Sequence, residues 1–400
     1  MALLPLQESP SNQNGFWQIL FSFGFRLFFL LAGLAAVIMV LLWLTALNGW
    51  PSLLSIKHYG IHWHGHEMLF GYTTAVVAGF LLTAAKNWTG QHTAIGKPLM
   101  VLGLCWLLAR LLIWFDVALL QWIAIICDLI FLPLLAYFVA RPILAIKQKR
   151  NYIFPILLIL MMLDHLLMHF ALFTNQAVLI QQTFHAVLFI IMTIMVIMAC
   201  RVVPFFTERG LGLTTPLLRD EKHDLWCAIA VAVAGVFYVT TTHWLTTVFL
   251  WLAAVTLFSR TIKWYRPKVW QVPLLWVLHV GMLWLALGLA LLGWQNLPLA
   301  THMGSSGIHA LTIGCIGMMT LGMMSRVSLG HSGRVLQTVK ATHLGFILLN
   351  LAAICRVFGA WAFSSHYVLM VTIAGVLWMS AFLLFLWVYV PIFITPSKSM

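Results

Sequence analysis

Sixteen histidines stand against nine carboxylates in a chain of 400 residues of which only 8% are charged. Imidazole suits haem iron and copper, whereas calcium and magnesium need several oxygens, which this chain lacks. The histidines that matter lie in or at the ends of apolar runs: His62, His64 and His66, then His165 and His169, His185, His279, and His302 and His309. An ionisable group in such a run is costly to bury and marks a functional candidate. Two arginines, Arg110 and Arg356, also lie inside apolar runs. A haem needs one or two axial histidines, an apolar slot and cations for its propionates, and these arginines are candidates for that role. They could instead pair with Asp116 and Asp128. Glu67, Asp128 and Asp164 are candidate ligand orienters or proton carriers. His165 could simply accompany Asp164. His223 and His343 fit interhelical hydrogen bonding, and His58, His62, His243 and His366 fit a solvated interface.

The elements that must position these groups follow from composition. Hydrophobic residues make up 62% of the chain, which excludes both an ordinary soluble domain and disorder. Long unbroken apolar runs exclude a membrane β-barrel. Twelve runs of spanning length are expected near 21–47, 63–86, 97–115, 117–140, 151–172, 178–203, 224–241, 243–260, 271–293, 303–326, 340–361 and 367–394. Backbone groups in lipid must be satisfied internally, so each reads as a helix. The fold class is an all-α polytopic membrane protein, a single membrane domain over residues 1–400. The polar first fifteen residues show no cleavage site, so no leader is expected to be removed.

The net charge of +13 would suit nucleic acid, but its placement says otherwise. The basic residues fall in the connections after even-numbered runs and at the termini, with Lys57 alone on the other side. That bias puts both termini in the cytoplasm, and no nucleic-acid partner is expected. On this topology five helices aim imidazoles at the outer half of the membrane, with His279 near the middle of the ninth. The six cysteines include no C-x-x-C pair and read as small apolar residues, and a haem would be b-type because no C-x-x-C-H attachment motif exists. An internal repeat is also present. His66-Glu67-Met68-Leu69-Phe70-Gly71, His185-Ala186-Val187-Leu188-Phe189 and His309-Ala310-Leu311-Thr312-Ile313-Gly314 recur with a period of four helices. The repeats fall near 16–140, 141–265 and 266–400, three pseudo-symmetric units of four helices. That period does not fit the two six-helix halves of common transporters.

Trp63-His64-Gly65-His66-Glu67-Met68-Leu69-Phe70-Gly71, with Asn87-Trp88-Thr89-Gly90, resembles the first signature of the NnrS family. Arg201-Val202-Val203-Pro204-Phe205-Phe206-Thr207 is similar to its middle motif. The stretch from His309 to Gly314 and that from Met324 to Arg334 are similar to its third, and Leu278-His279-Val280-Gly281 matches a further short one. Ala199-Cys200 stands where the family often has two glycines. The resemblance implies a bacterial inner-membrane protein with haem and copper, belonging to the nitric oxide response. It does not imply which histidine binds which metal. Three four-helix repeats with outward histidines are also similar in architecture to the catalytic subunit of haem-copper oxidases and nitric oxide reductases. The expectation is a protein that binds or consumes nitric oxide and limits nitrosative damage, with an unidentified electron donor. A transporter, or a sensor or assembly factor without turnover, is the alternative. On this reading His66 and His309, with His64, hold haem b, Arg110 and Arg356 meet its propionates, and copper falls to His169, His185 or His279.

Overall fold

A computed structural model of the chain describes residues 15–50, 60–240, 244–297 and 304–398. His58, His243, His302 and Lys57, expected at the interface, membrane surface or loops, lie outside the described residues, as do residues 1–14. The long helices are α1 (Gly24–Leu47), α2 (Ile61–Thr89), α3 (Lys97–Leu112), α4 (Ala118–Ala145), α5 (Ile153–Phe173) and α6 (Ala177–Leu211). They continue as α7 (Glu221–Thr240), α8 (Trp244–Trp264), α9 (Pro273–Gln295), α10 (Ser306–His331), α11 (Lys340–Ala362) and α12 (Tyr367–Ile394). No strand occurs among the described residues.

Among the described residues eleven helices, not twelve, are long and apolar enough to cross a membrane. The exception is α3, with 16 residues. Its length of about 24 Å falls short of a hydrocarbon core of about 30 Å. The apolar run expected over 97–115 is cut by Arg110, which lies in the last turn of α3 and faces inward. Glycine ends two spans: Gly90 and Gly212 adopt φ of 68° and 61° and donate their N–H groups to Lys86 O and Glu208 O, closing α2 and α6.

The most enclosed spans are α2, α10, α9 and α6, which carry the family-like motifs, while α7 lies at the periphery. Both α2 and α10 widen into a π-helical stretch immediately after their repeat histidine, over Glu67–Thr73 and Ala310–Gly317. A third such stretch, Cys355–Gly359, contains Arg356. In α6 the helix passes through His185 without widening. The first and last spans are clasped. Arg26 of α1, buried, donates from Nη1 to the carbonyls of Ile392, Phe393 and Thr395 at 2.9, 3.0 and 2.7 Å, and from Nη2 to Ser397 Oγ at 2.9 Å. Those are carbonyls that the end of α12 leaves without intrahelical partners.

Reporter fusions placed at Lys147 and Lys268 should give a cytoplasmic signal, and fusions near Gln176 and Leu297 a signal from the opposite side. The reversed pattern would mean that the basic loops do not set the orientation.

A candidate metal centre at the end of the bundle opposite the basic loops

The site is built where α2, α3, α4 and α5 meet. Counted from the helix ends away from the basic loops, His66 lies about 8 Å in, Asp128 about 15 Å, His165 about 12 Å and His169 about 6 Å. Asp128 is the hub. Its Oδ2 lies 3.1, 3.2 and 3.4 Å from the Nε2 atoms of His66, His165 and His169. His66 and His165 approach each other at 3.1 Å, Nε2 to Nε2. All four donor atoms fall within 4.8 Å of one another. Among the described residues this is the one such group.

Neighbours hold the other polar atom of Asp128 and of His66 and so fix which face each presents. Arg110 of α3 donates from Nη1 to Asp128 Oδ1 at 2.7 Å, leaving Oδ2 to the histidines. Glu67 Oε1 lies 2.9 Å from His66 Nδ1, leaving Nε2 free to face Asp128. Arg110 Nη2 donates to Phe70 O at 2.8 Å, and Nε sits 3.3 Å from Glu67 Oε2, an ion pair without the alignment of a hydrogen bond. The Phe70 ring stacks on His165 at 3.9 Å and 11°. The π-helical turn of α2 is packed tightly here. Trp106 Nε1 donates to Gly71 O at 3.0 Å. A Cβ on Gly71 would stand 2.8 Å from Glu67 Oε2 and 3.4 Å from Arg110 Nε, so a side chain at this position would displace the pair.

Two chemical facts bear on what the group can hold. Two buried carboxylates face one buried guanidinium, so with neutral imidazoles the cluster carries one net negative charge in a low-dielectric setting. A bound cation offsets it. Donors about 2.0 Å from a tetrahedrally coordinated ion stand about 3.3 Å apart, and the separations around Asp128 Oδ2 are 3.1 to 3.4 Å. Three imidazoles and one carboxylate suit copper, zinc, iron or nickel, and suit calcium or magnesium poorly.

The expected site residues divide differently from the sequence reading. His66 and His169 come together, with His165 and Asp128 as companions. His309 is not with them. Its Nδ1 donates to Ser305 O at 2.9 Å, which leaves Nε2 as the nitrogen open to another partner. His309, His64 and Arg356 lie near enough to act on one another electrostatically. Arg356 donates from Nη2 to Ser305 Oγ at 2.8 Å and to Tyr367 Oη at 3.1 Å. The His64 ring stacks on Trp43 at 4.7 Å, and its buried Nδ1 has no hydrogen-bond partner. Arg110 is committed to Asp128, the pairing that competed with the propionate role, and to Glu67 as well. His185 joins neither group and packs on Tyr238 at 4.8 Å. His279 is the seventh residue of α9, in the half nearer the basic loops, so it does not share the slab expected for it. Its Nδ1 donates to Leu275 O at 3.1 Å, and its buried Nε2 has no hydrogen-bond partner. His223 hydrogen-bonds Thr256 O at 3.2 Å, as an interhelical partner. Of the two residues given too little weight, His165 and Asp128, the first did carry a signal: His165 and His169 are four residues apart and share one helical face.

Fold and site together define a polytopic helical membrane protein with a buried histidine and carboxylate cluster able to hold a metal. The chain belongs to the NnrS family: the family model described as NnrS protein matches residues 19–397. No curated protein matches the chain.

Asp128→Ala and His165→Ala should each abolish retention of the metal at this centre after dialysis against a competing chelator, read as non-haem metal by elemental analysis. Arg110→Gln should weaken it by roughly 10- to 100-fold, the usual cost of losing a partner that orients a ligand. His343→Ala, in the first turn of α11 at the end nearer the basic loops, should change nothing. Equal retention in Asp128→Ala and the parent would remove the site.

Proposed function

We propose that this protein is a haem- and copper-binding bacterial inner-membrane protein that binds or consumes nitric oxide and so limits nitrosative damage. The observation that carries the reading is the convergence of three imidazole Nε2 atoms on one oxygen of Asp128 at a depth an apolar gas reaches through lipid. On this proposal copper takes His66, His165, His169 and Asp128, a set whose donors and net charge fit it. Haem b takes His309, with His64 nearby and Arg356 for a propionate. The fit there rests on a histidine whose Nδ1 is spent on Ser305 O, on a buried His64 nitrogen without a partner, and on a guanidinium beside them. Haem iron and copper supply, when bound, the one-electron chemistry that nitric oxide undergoes. The chain's own part is to orient His66 through Glu67, to hold Asp128 through Arg110, and to keep bulk water from the cluster with Phe70 and Trp106.

The protein purified from haem- and copper-replete cells should show a Soret band and a copper signal by paramagnetic resonance. His309→Ala should lose most of the haem and keep the copper, and His165→Ala should do the reverse. Addition of nitric oxide to the reduced protein should shift the Soret band. A preparation without a Soret band would end the haem reading, and loss of both metals in His165→Ala alone would end the division into two sites. Consumption of nitric oxide with an artificial reductant, followed at an electrode, separates turnover from binding.

A further inference from the structure

The four donors at the centre are not held alike. Asp128 is fixed from behind by Arg110 and its side chain is 8% exposed. His66 is tied through Nδ1 to Glu67, which Arg110 holds in turn, and its side chain is 12% exposed. His165 is sealed, at 1%, with its ring stacked on Phe70. His169 has none of these restraints. Its one hydrogen bond to a described residue is that between Nε2 and Asp128 Oδ2, at 3.4 Å the longest of the three spokes. Its ring meets those of His66 and His165 at 5.7 and 4.8 Å, edge-on and tilted, without stacking on either. It is also the most exposed of the four, at 20%, and the closest to the helix ends. Leu166 and Phe170, three residues before it and one after, are exposed on the surface of α5.

We propose that His169 is the exchangeable ligand of the centre, the position that opens to a small lone-pair ligand while Asp128, His66 and His165 keep the metal. The proposal rests on the reading of these four residues as copper ligands, and nitric oxide is the ligand that reading supplies. Four protein donors close a tetrahedral site, whereas a centre that acts on a small molecule keeps three and leaves the fourth position to water or substrate. One of the four must therefore yield, and the cost of moving each decides which. Turning Asp128 away would part a buried carboxylate from its counter-charge. Turning His165 would push the Phe70 ring into a close-packed interior. Turning His66 would break its contact with Glu67 at the start of the π-helical stretch. His169 gives up one long hydrogen bond and swings toward the exposed side of α5, and exposed side chains change rotamer within nanoseconds. The exchange moves no proton and no electron. The bond from the metal to Nε2 breaks, and the lone pair of the incoming molecule forms a bond in its place. The position this opens lies on the exposed side of the cluster, so a small molecule reaches it without displacing Phe70.

The test uses the full chain stripped of copper, with cobalt(II) as a spectroscopic probe of the centre. His169→Ala should keep a visible cobalt band, whereas His66→Ala and His165→Ala should lose it. Imidazole added in solution should restore the parent band in His169→Ala and do nothing for His165→Ala, whose place is sealed. Azide should shift the band of His169→Ala at a concentration roughly tenfold lower than in the parent, because apparent affinity falls with the fraction of chains in which the position is open. An unchanged size-exclusion profile shows that a variant is folded, and His169→Gly takes the place of His169→Ala if the latter is not. Loss of cobalt from the folded His169 variant without rescue by imidazole overturns the proposal. So does a retained, imidazole-rescued centre in His66→Ala instead. Cobalt that fails to bind the parent removes the metal centre and this proposal with it. Nitric oxide, added without air, should shift the band as azide does. If azide shifts it and nitric oxide does not, His169 is still the ligand that yields, and the nitric oxide reading is what falls.

Discussion

Everything at the candidate centre depends on keeping one carboxylate, Asp128, charged among helices packed in lipid. Alone, such a group would cost several kcal/mol to bury or would take up a proton. Arg110 supplies the counter-charge, and it reaches Asp128 because α3 ends early enough to bring its last turn beside the middle of α4. The shortness of α3 and the geometry of the cluster are thus one fact. A longer, wholly apolar α3 would span the membrane and leave Asp128 without its partner. The same guanidinium ties in Glu67 and the Phe70 carbonyl, so α2 is registered against α3 and α4 by the same residue that balances the charge.

The π-helical stretches belong to the same logic. A regular α-helix spends every carbonyl within itself. Where α2 widens after His66, the Phe70 and Gly71 carbonyls accept bonds from Arg110 and Trp106 of the neighbouring helix. Such widened turns recur at functional sites because they re-aim side chains within an otherwise continuous helix. Here they coincide with Glu67, with the residue after His309, and with Arg356.

The sequence displayed the helices, the concentration of histidines and the depth of most of them, because those depend on hydropathy and on counting along a helix. It did not display which helices are neighbours. His66 was paired with His309 through their matching places in the repeat, yet α2 meets α4 and α5 at that depth, and Asp128 and His165 complete the group instead. His279 was misplaced for a simpler reason: it stands seventh of the 23 residues of α9, nearer the start of the helix than its middle. The loss of a full-length third span was foreshadowed by Arg110, which a run of apolar neighbours disguised as part of the span.

The clasp between Arg26 and the end of α12 has a consequence for how the chain is made. Arg26 leaves the ribosome at least 366 residues ahead of its acceptors at Ile392, Phe393, Thr395 and Ser397. Until they are made, this arginine must stay at the headgroup level, with its side chain drawn toward water. Its burial waits on the end of α12, a latch that closes on α1 only once that helix has been made. A chain cut short before Ile392 would insert most of its spans and lack these acceptors at its first helix, a difference that a membrane protease could read.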